Sequence, residues 1–172
     1  MTSAPHAGSP ISDQVLEILR EAKCLAHEYY RFTGRPLGIT AEVAEVEAAR
    51  LLGIQLSVVR QPGYDAVRPT PQGPVRLQIK SRCYPAGADS GQRLGGIDLR
   101  KEWDAVLMVL LGPDFEVREI WEADRSAIEA ALVAKGSKAR NDRGALPVSR
   151  FKRLGHCLWP HECVHMPAGK TR

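Results

Sequence analysis

Three side chains in PGYDAVRPTPQGPVRLQIKSR, the stretch from Pro62 to Arg82, could act together in hydrolysis: Asp65, Gln78 and Lys80. An aspartate offers oxygen ligands to a hard divalent cation, an amide adds a neutral oxygen, and an amine can orient or polarise a water molecule. Mg²⁺ or Mn²⁺ suits such a set, since Mg²⁺ keeps several of its own waters and asks only one or two carboxylates of the protein. A cation held there would neutralise charge developing on a transferring phosphoryl group and lower the pKa of an attacking water.

These residues depend on the elements that carry them. From Val75 to Arg82 polar and apolar residues alternate, so a strand would turn Arg76, Gln78, Lys80 and Arg82 to one face and Val75, Leu77, Ile79 and Ser81 to the other. One face is expected to be cationic and hydrogen-bonding, the other mostly apolar. Pro69, Pro71 and the Gly73-Pro74 pair form a turn-rich link that lets the Asp65 and Lys80 segments pair as a hairpin. Upstream, Ile54 to Arg60 reads as a strand leading into that hairpin, and Thr40 can cap a helix through Leu52 that Gly53 ends. Glu42, Glu45 and Glu47 on this helix are by default a solvated surface. Because the helix should pack on the sheet that carries Asp65 and Lys80, Glu42, early in it, is the acid expected to reach their site.

The remaining segments frame this centre. A long amphipathic helix is expected from Ile11 to about Tyr30, with Ser12 and Asp13 as candidate caps. The stretch from Cys83 to Glu102 is loop-like, and within it Arg93 and the Gly95-Gly96 pair are placed to meet a phosphate. Trp103 to Leu111 is apolar throughout most of its length and should be a central strand, turned by Gly112-Pro113-Asp114 into an antiparallel partner from Phe115 to Trp121. Asp124 to Lys135 reads as a helix, Gly136 to Gly144 as an exposed loop, and Pro147 to Leu158 as a short last helix. In HCLWPHECVH, Cys157, His161, Cys163 and His165 are zinc-ligand types, so a structural Zn²⁺ is conceivable; their spacing matches no standard finger, and a terminal extension is the simpler reading.

At 172 residues the composition describes one domain, 11–158, between a polar leader, 1–10, and a tail, 159–172. The net charge of +4 is mild but uneven. Lys135, Lys138, Arg140, Arg143, Arg150, Lys152 and Arg153 are opposed only by Asp142, a patch that suits a polyanion such as DNA or is simply solvated. The longest apolar run, Ala105 to Leu111, is too short to span a bilayer, and the first ten residues lack a targeting pattern, so the expected setting is the cytoplasm, with the four cysteines reduced.

The order of helix acid, strand, Asp65 and Gln78-Ile79-Lys80 resembles the PD-(D/E)XK superfamily of restriction-endonuclease-like nucleases, in which an acid on the first core helix, an Asp starting the second strand and an (Asp/Glu/Gln)-x-Lys on the third converge on one metal. Residue by residue, Glu42 matches the helix acid, Asp65 the strand acid, Gln78 the variable position and Lys80 the lysine. The match runs from Gly38 to Arg82, and Trp103 to Trp121 fits the later strands loosely. The chain is also similar to an uncharacterised bacterial domain family with a GYDA hairpin and a QIK strand. The chain departs from the superfamily pattern in carrying Gln78 where an acid is usual, and in showing no helix after the third strand. The resemblance implies an α/β fold with a central mixed sheet flanked by helices, a Mg²⁺-dependent endonuclease acting on DNA, and metal ligands Asp65, Gln78 and Glu42. Arg76, Arg82, Arg93 and the basic patch would then contact phosphates. Many small nuclease-like domains act as symmetric dimers, and a homodimer would account for cutting two strands. The competing readings are an inactive nuclease-like module that binds nucleic acid or a protein partner, and a partner protein that ignores nucleic acid.

Overall fold

A computed structural model describes residues 11–58, 62–83, 92–134 and 144–160. The chain opens with two helices, α1 (Asp13–Thr33) and α2 (Thr40–Leu52). The Ser12 hydroxyl accepts a hydrogen bond from the Val15 amide at the start of α1, and left-handed glycines, Gly34 and Gly53, end the two helices. Then follow β1 (Gln55–Leu56), β2 (Ala66–Arg68), β3 (Val75–Cys83), β4 (Arg93–Leu94), β5 (Ala105–Leu111) and β6 (Val117–Asp124). The last elements are α3 (Arg125–Val133), β7 (Leu146–Pro147), α4 (Val148–Leu154) and β8 (His156–Trp159).

The architecture is α/β. Six strands form a mixed sheet in the order β1-β2-β3-β5-β6-β8, and β4 pairs with β7 in a separate two-stranded ribbon. Strands β1, β2 and β3 make an antiparallel meander, β3 and β5 run parallel, and β5, β6 and β8 are antiparallel again. Strand β5 is the central strand its composition predicts, buried at all seven positions.

Both faces of the sheet are covered. Leu77 and Ile79 of β3 align with Ala105 and Leu107 of β5 on the face that packs against α1 and α2. Gln78, Lys80 and Arg82 align with Val106, Met108 and Leu110 on the other face, where Leu94, Ile97, Trp103, α3 and α4 pack. The polar residues of β3 therefore do not line an open wet face: they lie beneath a second layer, and Gln78 is only 6% exposed.

Other expectations are revised. The strand expected over Ile54 to Arg60 is two residues long, with Val59 and Arg60 outside the described residues. The stretch expected to be loop carries β4, whose residues Arg93 and Leu94 register with Pro147 and Leu146. The last helix ends at Leu154 instead of running to Leu158, because Gly155 passes against β6: a Cβ there would lie 2.2 Å from the Glu122 carbonyl oxygen. The chain after it is β8, so Cys157 is a buried sheet residue opposite Trp121. No described helix is long and apolar enough to cross a membrane.

Candidate functional site

Asp65 directly precedes β2, and its position follows from strand pairing. Its amide donates to the Leu77 carbonyl at 2.8 Å, so it continues the β2–β3 ladder by one residue. Beyond that point β2 leaves β3, and the Asp65 carboxylate takes the place of the next backbone acceptor, receiving the Ile79 amide at 2.7 Å. The carboxylate thus sits at the edge of β3 between the positions of Gln78 and Lys80. The turn that returns the chain is the expected one, with Thr70 and Gly73 exchanging backbone hydrogen bonds.

The backbone just before Asp65 is equally constrained. Gly63 has φ +103°, and a Cβ on it would come within 2.7 Å of the Glu102 carbonyl oxygen, so only glycine fits. The Gly63 carbonyl accepts the Gln78 side-chain N–H at 3.3 Å, which orients that amide. The amide's other atom, Gln78 Oε1, is buried and has no hydrogen-bond partner among the described residues. A buried acceptor left unpaired costs about 1–3 kcal/mol, so this oxygen is one that a bound group would satisfy.

Lys80 lies beside the Gly96 backbone, its Nζ 3.9 Å from where a Cβ on that glycine would be. Burial pulls the Lys80 amine below its ordinary range; Asp65 and Glu45 act to hold the charge on it, while Lys101 and Arg82 act against it. Glu45 is the mirror case. Burial and, after it, the charges of Asp65 and Glu42 together push its carboxyl up to about 7, against the opposing charge of Lys80. Asp65, Glu45 and Lys80 are thus one electrostatic cluster. Lys80 and Glu45 lie on opposite sides of the sheet and act on each other by charge at the edge of β3 that, among the described residues, has no strand neighbour past Leu77.

The charges of both Asp65 and Lys80 act on Glu45 of α2. Glu42 lies one turn earlier, exposed, and acts on Glu45 by charge. Glu45 was missed as a site residue in the sequence, although a signal existed: Ala41, Ala48 and Ala49 surround it at helical spacing, and the last two are buried. Glu47 faces α1 instead, where Lys23 reaches both it and Glu116 at 2.8 Å.

Past Lys80 the open edge of β3 leads into a cleft of about 520 Å³ lined by residues that include Thr40, Ala41, Ser81, Arg82, Gln92 and Arg93. Arg82 Nε donates to the Arg93 carbonyl at 2.7 Å, and Arg93 donates to the Ala145 carbonyl at 2.9 Å. Gln92 Oε1 and Arg93 Nε are buried without partners among the described residues.

The other cations expected to meet phosphate are spread out. Arg76 is engaged by Asp104, whose two oxygens it meets at 2.9 and 3.0 Å, and by Glu102 at 2.8 Å. Lys152 pairs with Glu119 and lies over the Trp121 ring at 5.3 Å. Arg150 and Arg153 are on α4, whereas Lys138, Arg140 and Arg143 fall outside the described residues. So do His161, Cys163 and His165 of the tail; Cys157 Sγ donates to the Trp159 carbonyl. Among the described residues no three His, Cys, Asp or Glu side chains gather as a metal-holding cluster.

Compared with known proteins, the chain matches no family model and no curated protein.

Proposed function

We propose that this chain is a divalent-metal-dependent phosphodiesterase, an endonuclease of the restriction, repair or defence type acting on DNA in the cytoplasm, built on a restriction-endonuclease-like core. One observation carries the reading: Asp65, at the start of the second strand, anchors on the third strand at Ile79, between Gln78 and Lys80, while Glu45 feels the charges of both Asp65 and Lys80. That is the helix acid, strand acid and Gln-x-Lys order that the PD-(D/E)XK resemblance expects, with Glu45 joining Glu42 as a candidate helix acid.

The donor set fits Mg²⁺ or Mn²⁺. Asp65 and Glu45 offer two carboxylates, the unpartnered Gln78 Oε1 offers a neutral oxygen, and Glu42 stands behind them. A bound cation would supply charge neutralisation at the phosphate and a more acidic water. The protein's own groups do the rest. Lys80, with its amine shifted down by burial, holds a water or a non-bridging phosphate oxygen by hydrogen bonds. The cleft bordered by Arg82 and Arg93 leaves room for the strand flanking the reacting phosphate.

Plasmid DNA incubated with the protein and Mg²⁺ or Mn²⁺ tests this reading. Nicking should appear and should vanish in Asp65→Ala and in Lys80→Ala. If wild type and both variants leave DNA intact yet shift it equally in a gel, the enzyme reading fails and an inactive nucleic-acid-binding module takes its place. Two features favour that second reading: Gln78 stands where an acid is usual, and Glu45 gives up its proton only near pH 7. No shift even at low salt would leave a protein partner as the ligand.

A further inference from the structure

The segment 96–104 follows the candidate site from one end to the other. It starts at the Gly96 backbone beside the Lys80 amine, and at Glu102 it presses against Gly63, whose carbonyl holds the Gln78 amide. Its shape is fixed by groups that take no part in the site. The Arg125 guanidinium donates to the carbonyls of Leu99, Lys101 and Trp103 at 2.5, 2.9 and 3.1 Å, and it lies over the Trp103 ring at 4.6 Å. Trp103 is fully buried, and its indole N–H donates to the Asp98 carbonyl at 3.0 Å. Four of the five charged side chains of the segment are satisfied within the fold. Asp98 and Arg100 pair through two hydrogen bonds of 2.9 Å, and Arg76 takes both Glu102 and Asp104. The fifth, Lys101, is exposed, and its amine has no hydrogen bond or ion pair among the described residues.

Exposed lysines are ordinarily just solvated. Lys101 differs in where its backbone is pinned: its neighbour Glu102 lies against Gly63, and its own carbonyl is held by Arg125. From there its charge acts against the charge on Lys80. Two ammonium groups held near each other repel, and an anion beside them replaces repulsion with attraction. The only acid of the segment that feels the charge of Lys101, Asp98, already has both oxygens taken by Arg100. We propose that Lys101 is a substrate-binding residue of this site, its ammonium taking a phosphate group of the DNA beside Lys80. The inference rests on the nuclease reading and adds to it a cation from outside the helix acid, Asp65 and Gln-x-Lys set. A lysine suits the role, because its compact charge on a flexible stem can follow a phosphate while the clasped backbone stays in place.

Fluorescence anisotropy of a labelled DNA duplex with the full chain tests it, in EDTA so that no cleavage runs, over a series of salt concentrations. Lys101→Ala should weaken binding about 8-fold at about 0.1 M salt and reduce the slope of log K against log salt by about 0.9, the amount that one phosphate contact carries on duplex DNA. Lys101→Arg should restore both the affinity and the slope, and both variants should unfold at the wild-type midpoint, since this side chain has no partner to lose. Arg20→Ala, which removes an exposed cation from α1, should leave the slope unchanged. A slope unaltered by Lys101→Ala, or lowered equally by Arg20→Ala, overturns the inference and makes Lys101 a solvated lysine. If nicking still vanishes in Asp65→Ala and Lys80→Ala, that result leaves the nuclease reading standing. Wild-type protein that fails to bind the duplex even at the lowest salt overturns both.

Discussion

Two glutamates two residues apart on α2 have opposite fates. Glu47 is 5% exposed, yet its carboxyl stays below the ordinary range: burial pushes it up, and hydrogen bonds from Lys23 and Arg50 more than reverse that. Glu45 is less buried and is pushed up to about 7, because burial acts on it together with the neighbouring charges of Asp65 and Glu42, with only Lys80 in opposition. One region of α2 is a neutralised junction between helices. The other is an acid cluster short of positive charge, which a cation or a phosphate-bound metal would complete. Burial alone does not separate the two carboxyls; a dedicated cationic partner, present for Glu47 and lacking for Glu45, does.

The largest effect should come from breaking the junction. Lys23→Ala leaves Glu47 buried with only the partly exposed Arg50, and leaves Glu116 unpaired. Removing one partner of a buried pair costs about 3–5 kcal/mol, and urea unfolding at pH 7 should show a loss of that order. The next effect joins chemistry to a smaller structural cost. Asp65→Ala should lower plasmid nicking by about 10²–10³-fold, equivalent to about 2.7–4 kcal/mol of transition-state stabilisation, and should lower the unfolding free energy by about 1–3 kcal/mol because the Ile79 amide loses its acceptor.

The sharpest contrast is the pH dependence of stability. The Glu47 carboxyl is depressed in the fold, so its contribution is present above its unfolded value of 4.5 and is lost as pH falls through the lower folded value. Glu45 is raised, so its contribution is complete below 4.5 and is lost as pH climbs towards about 7. Glu45→Gln should therefore abolish nicking yet melt about 2–4 °C higher than wild type at pH 8, corresponding to about 1 kcal/mol, with the gain disappearing at pH 4. Melting curves at the two pH values decide this; equal shifts at both would mean that Glu45 is an ordinary surface acid. Arg50→Ala should do least, under about 1 kcal/mol, because its side chain is half exposed and Lys23 still neutralises Glu47.

Much of the fold was legible in the sequence. The glycines and the Ser12 cap bound the first two helices, the apolar run from Ala105 fills the central strand, and the Pro-Gly link closes the Asp65 hairpin. Other elements were obscured because their signals are tertiary. Two-residue strands such as β4 and β7 have no period of their own and exist because they pair with each other. β8 reads as a helix extension until the approach of Gly155 to Glu122 is known. The polar alternation of β3 suggests exposure, whereas the layer formed by Leu94, Ile97 and Trp103 covers that face. Which side of α1 is covered is likewise hidden, since exposed Val15, Ile18 and Leu25 interleave in sequence with Leu19, Lys23 and Ala26, which face the domain.

By itself the sequence determined which groups were on hand: Asp65, Gln78 and Lys80 in one hairpin, and three acids on the helix before it. Residue types and local periodicity suffice for that, because a strand's two-residue alternation and a helix's turn are local geometry. Only the tertiary structure decided that Glu45 joins Asp65 and Lys80 while Glu47 turns to Lys23, and that Arg76 is taken up by Asp104. The reason is physical. A carboxyl's charge state depends on what lies within several ångströms in any direction and on how much water remains, and neither is a property of its neighbours in sequence.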